Sequence, residues 1–187
     1  MAGVPWNQLP NAISVVRMCL VVPVVWLIWQ EDFRPALVLF LIAAISDGLD
    51  GFLAKSFSWQ SNIGALLDPM ADKLLLSASF ATLAITGWVP VWLASLVIAR
   101  DLVIIGGACA YHLLIQPLRG DPTRVSKLNT AIELAYVFVV LLAAAWAIEV
   151  PAITLMLGAA VLVTVVVSGI DYVWAWSLKA RRDKVQT

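Results

Sequence analysis

Charge is what this chain has least of. Only 13% of its 187 residues are Asp, Glu, Lys or Arg, against roughly a quarter in a soluble domain. Hydrophobic residues make up 62% and the mean hydropathy is +0.93, which excludes a disordered chain and an ordinary soluble domain. Acidic and basic residues, 12 of each, cancel to a formal net charge of +0, and nucleic acid is not an expected partner. Cysteine and histidine are nearly missing as well, with 2 and 1 respectively. Cys19 and Cys109 both sit inside apolar runs, so neither a disulfide framework nor a thiolate metal cluster fits, and both are expected to pack. His112 is expected to be a polar residue near a membrane interface. Lys and Arg are absent before Arg17, and no small-residue cleavage site follows the first apolar run. These absences speak against a transit peptide and for a first helix that is retained.

What is present is a series of apolar runs punctuated by Pro, Gly and charge. They predict helices over 12–29, 34–55, 62–86, 90–115, 127–148 and 151–176, each long enough to cross a hydrocarbon core of about 30 Å. The expected fold is all-α: a single six-helix membrane domain over residues 1–187. Basic residues gather on alternate connections: Lys55, then Arg119, Arg124 and Lys127, then Lys179, Arg181, Arg182 and Lys184. The intervening loops carry Glu31, Asp32, Arg34 and Glu149. By the positive-inside rule both termini are expected in the cytoplasm. Most of the nine tryptophans fall near expected helix ends, where they suit interfacial belts.

Charge inside the apolar runs is the informative exception. The second run ends Ser46-Asp47-Gly48-Leu49-Asp50-Gly51-Phe52-Leu53-Ala54-Lys55, and the third begins Gly64-Ala65-Leu66-Leu67-Asp68-Pro69-Met70-Ala71-Asp72. Asp47 and Asp50 share one helical face, as do Asp68 and Asp72. Because the two helices run in opposite directions, both pairs are expected at one depth near the cytoplasmic surface. Four carboxylates about 6 Å apart at an effective dielectric near 20 repel by roughly 3 kcal/mol per pair, on the order of 15 kcal/mol in all. They must therefore be protonated, paired with cations or bound to metal. Hard oxygen donors without Cys or His suit Mg²⁺ or Mn²⁺. Small residues such as Gly51, Ala54 and Gly64 allow close helix and ligand approach. A divalent-cation transporter would also place carboxylates in helices, but usually near the midplane and in two related halves.

The spacing of Asp47, Asp50, Gly51, Ala54, Lys55, Gly64, Asp68 and Asp72 resembles the CDP-alcohol phosphatidyltransferase signature D-x2-D-G-x2-A-R-x8-G-x3-D-x3-D. Every interval is kept, and Lys55 stands where the family usually has Arg. The resemblance implies transfer of phosphatidyl from CDP-diacylglycerol to an alcohol, with release of CMP. It implies that Asp47, Asp50, Asp68 and Asp72 hold the divalent ions and that Asp72 is also the general base. It further implies that Gly51, Ala54 and Gly64 admit the CDP moiety and that Lys55 contacts a phosphate, without the planar fork of Arg.

Pro10-Asn11-Ala12-Ile13-Ser14-Val15-Val16-Arg17, Ala99-Arg100-Asp101 and Ser126-Lys127-Leu128-Asn129-Thr130-Ala131 are similar to segments of the phosphatidylglycerophosphate and cardiolipin synthase branches. Asn129, where the former more often carry Lys, is closer to the eukaryotic-type cardiolipin branch. Arg100 and Lys127 are expected to bind the acceptor or lipid phosphate. The favoured acceptor is phosphatidylglycerol, the alternative glycerol 3-phosphate. A bacterial inner membrane and a homodimer complete the expectation.

Overall fold

The computed structural model describes the backbone of residues 9–57, 64–114 and 124–185 and the side chains of residues 15–46, 73–107 and 125–172. Six helices are present, with no strand among the described residues: α1 (Leu9–Trp29), α2 (Phe33–Phe57), α3 (Gly64–Ile85), α4 (Val91–Leu114), α5 (Arg124–Trp146) and α6 (Pro151–Val185). The largest departure from the expected bounds is at α6. Its apolar run stops at Trp176, yet the Lys- and Arg-containing turns beyond are helical to Val185. Hydropathy ends at the membrane surface, whereas helix propensity does not, and Leu178, Lys179, Ala180, Arg181 and Arg182 are all good helix formers. For the same reason α5 starts at Arg124, ahead of its apolar run.

The chain forms two compact units, one of Met1–Pro90 with Val137–Val150 and the other of Val91–Tyr136 with Pro151–Thr187. In the first, α1 packs on both α2 and α3. Its buried stripe is Arg17, Val21, Val24 and Ile28, spaced by three and four residues as a helix face requires. Phe40 and Ala43 of α2, Phe80 and Leu83 of α3, and Val137 and Leu141 of α5 are buried in the same unit. Contrary to the packing expected of it, Cys19 is exposed, since it falls between the stripe positions Arg17 and Val21 on another side of α1. Cys109 and His112 lie outside the described side chains.

One pole of this unit collects three turns. The Phe33 ring meets Trp88 edge-on, with centroids 5.0 Å apart. Arg34 donates from Nε to the Ala145 carbonyl at 3.1 Å and lies 5.9 Å from the Trp146 ring centroid. Trp26, Trp29, Trp88 and Trp146 are exposed, as an interfacial belt requires; Trp6, Trp59, Trp174 and Trp176 lie outside the described side chains. α1, α3 and α5 all end in the same way. Asp32, Trp88 and Ile148 donate their N–H to the carbonyls of Leu27, Leu83 and Ala143, and Glu31, Gly87 and Ala147 to those of Ile28, Ala84 and Ala144. This Schellman closure needs a left-handed residue, and φ is 57° at Glu31, 84° at Gly87 and 51° at Ala147. Only Gly87 adopts it without a Cβ penalty. Ala147→Gly is therefore expected to raise stability by about 1 kcal/mol, read as a higher midpoint of thermal unfolding in detergent.

In the second unit α4 packs on α6, and Gly158 brings α6 near Tyr136 and Leu93. Two segments, Val125–Trp146 and Pro151–Tyr172, are long and apolar enough to cross a membrane. Large apolar side chains such as Val22, Leu102, Leu155, Met156, Val163 and Ile170 are exposed. An apolar surface of this kind is that of a membrane protein.

Candidate functional site

The residues singled out by spacing lie on two neighbouring helices of the first unit. α2 carries Asp47, Asp50, Gly51, Ala54 and Lys55, and α3 carries Gly64, Asp68 and Asp72. These positions are helical, and their side chains lie outside the described residues. Backbone register still fixes their level. At about 1.5 Å per residue, Asp47 and Asp50 stand roughly 21 and 26 Å along α2 from Phe33. Asp72 and Asp68 stand roughly 20 and 26 Å back along α3 from Ile85. The Phe33–Trp88 contact joins the start of α2 to the turn after α3, and counted from those ends the two pairs stand at similar distances along their own helices.

The second unit holds a buried polar group. Arg100 of α4 donates from Nη1 to Asp101 Oδ1 at 2.7 Å and from Nη2 to Ser126 Oγ at 3.0 Å. Nη2 also donates to Ser168 Oγ of α6 at 2.5 Å. Arg100 and Asp101 are 6% and 4% exposed. A pair so far from water persists only with such geometry, because each charge has given up its hydration. Next to it on α5, Asn129 donates from Nδ2 to Glu133 Oε1 at 2.7 Å, and both residues are buried. Lys127 is exposed. Of the two cations expected to meet phosphate, Arg100 is thus engaged inside its unit and Lys127 is open.

Sequence reasoning assigns no role to Asp101, Ser126, Ser168 or Glu133. Glu133 accepts from Asn129 of its own helix, four residues back. The available signal for these residues is polarity within an apolar run, which is costly in a bilayer. Ser168 carries little of it, since a lone serine in a long apolar helix can bond back to its own backbone. Arg17 enters the sequence reading only as part of a resemblance, yet it is 1% exposed on the inward stripe of α1.

The family model of CDP-alcohol phosphatidyltransferases matches residues 7–174. Human cardiolipin synthase (CMP-forming) is 36% identical over 149 residues, covering 71% of this chain and 49% of the human protein. A probable phosphatidylglycerophosphate synthase of Mycobacterium tuberculosis is 31% identical over 139 residues, covering 74% of this chain and 64% of that protein. The CDP-diacylglycerol–glycerol-3-phosphate 3-phosphatidyltransferase of Bacillus subtilis is 30% identical over 115 residues, covering 53% of this chain and 59% of that protein. The chain therefore spans about half the length of the human relative.

Proposed function

Because the chain belongs to the CDP-alcohol phosphatidyltransferase family, we propose that it transfers phosphatidyl from CDP-diacylglycerol to a hydroxyl of phosphatidylglycerol, forming cardiolipin and releasing CMP. The observation that carries this reading is the aspartate motif, with one pair on α2 and the other on α3. The donor set fits a hard divalent cation: Asp47, Asp50, Asp68 and Asp72 offer only carboxylate oxygen, and Mg²⁺ or Mn²⁺ prefers it. When bound, the ions neutralise the diphosphate and stabilise departing CMP. Asp72 takes the proton from the acceptor hydroxyl. Gly51, Ala54 and Gly64 leave room for the CDP moiety, and Lys55 offers a phosphate a point charge. Arg100, through its remaining Nε, and exposed Lys127 attract the anionic acceptor or lipid.

The same reading takes all six helices as membrane crossings with both termini in the cytoplasm, where the basic connections lie. It makes residues 1–187 one enzyme domain, able to pair as a homodimer, in a bacterial inner membrane. The second reading, phosphatidylglycerophosphate synthesis from glycerol 3-phosphate, draws on the relatives from M. tuberculosis and B. subtilis. Higher identity, 36% against 31% and 30% for these two relatives, supports the cardiolipin reading. Purified protein given CDP-diacylglycerol is expected to release CMP with phosphatidylglycerol. Turnover with glycerol 3-phosphate alone would reverse the assignment.

A further inference from the structure

Arg17 is among the largest side chains that the protein buries completely, 1% exposed on the inward stripe of α1. Arginine carries its charge wherever it sits, and an ionised side chain so far from water is retained only against an opposite charge. Arg17 belongs to the first unit. Among the described residues of that unit no acid is buried: Glu31, Asp32 and Glu149 are all exposed. They stand at the tryptophan pole, just past the ends of α1 and α5. Arg17 lies roughly 18 Å back along α1 from Trp29, too far for one side chain to span.

The acids that remain in this unit are Asp47, Asp50, Asp68 and Asp72. Counted along their own helices from the same pole, Asp47 stands at roughly 21 Å and Asp72 at roughly 20 Å, the nearest of the four to the level of Arg17. α1 packs on both α2 and α3, while α2 and α3 meet each other little among the described residues. The buried stripe of α1 is thus flanked by the helices that carry the two aspartate pairs, and a guanidinium has donors for two carboxylates at once.

We propose that Arg17 is a positioning residue whose guanidinium pairs with Asp47 and Asp72, holding the carboxylates together without metal and competing with the divalent ion for them. This rests on the metal site of the transferase reading above. The internal cation offsets part of the carboxylate repulsion, and in return the ion is held less tightly.

The test reads Mn²⁺ binding to the full chain in detergent, by the electron paramagnetic resonance of the free ion, beside unfolding midpoints in EDTA. Arg17→Gln removes the charge and is expected to bind Mn²⁺ about tenfold tighter or more than wild type. In EDTA it is expected to unfold at a lower temperature. That drop is expected to shrink when Asp47→Asn or Asp72→Asn is added and to persist with Asp32→Asn. Arg17→Lys, which keeps the charge without the planar fork, is expected to fall between and serves if the Gln variant does not fold. An arginine that only supports packing would leave Mn²⁺ affinity unchanged. Equal or weaker Mn²⁺ binding by the folded variant, or a drop in EDTA that is indifferent to Asp47 and Asp72, overturns this proposal alone. Wild type that binds no Mn²⁺ also overturns it, and with CMP release absent as well the transferase reading falls too.

Discussion

Asp68→Asn is expected to lower CMP release by about 10³-fold or more while leaving the chain folded. In the proposed metal site, loss of one carboxylate from the set of four would weaken metal binding and charge neutralisation together, and about 4 kcal/mol of lost transition-state stabilisation corresponds to that factor. Stability should move the other way. In the proposed cluster of four carboxylates, removing one without metal cancels half of the pairwise repulsions, so in EDTA the variant is expected to unfold at the wild-type temperature or above. Added Mg²⁺ is expected to raise the wild-type midpoint and to do little for the variant, since an ion that binds only the folded state stabilises it by mass action. If instead the carboxylates serve folding by pairing with Lys55 or Lys73, Asp68→Asn would destabilise the protein in EDTA and spare turnover. Unfolding with and without Mg²⁺, measured beside CMP release, separates the two.

Much of this molecule is legible in its sequence because a membrane helix announces itself by composition. Each of the six apolar runs is a helix, and the bounds fail most at α5 and α6, where helix outruns hydropathy. The aspartate motif is legible because its intervals are rigid and its charges stand out against apolar neighbours. The buried face of α5 is not. Asn129 and Glu133 carry no individual signal of a shared site, and their joint burial depends on which face turns inward, a matter of tertiary packing. Cys19 shows the same limit from the other side: its run is apolar all round, so periodicity does not tell a packed position from an exposed one.

Arg100→Leu is expected to destabilise the second unit strongly. Asp101, 4% exposed, would lose the guanidinium that now lies 2.7 Å away. Removing one member of a buried pair typically costs about 3–5 kcal/mol, because the remaining charge is left in a medium that solvates it poorly. At about 2–4 °C per kcal/mol for a chain of this size, the midpoint of unfolding should fall by roughly 10 °C. Leu at both Arg100 and Asp101 is expected to recover much of that loss, as apolar replacement of a whole buried pair is often neutral or better. Arg100→Lys keeps the charge but cannot reach Asp101, Ser126 and Ser168 from one planar fork, so it should fall between. The three unfolding midpoints decide between two roles for Arg100. Recovery in the double variant identifies an internal charge pair whose cost lies in the aspartate that has lost its guanidinium. Failure to recover assigns the stability to the bonds that Arg100 makes to the serines of α5 and α6.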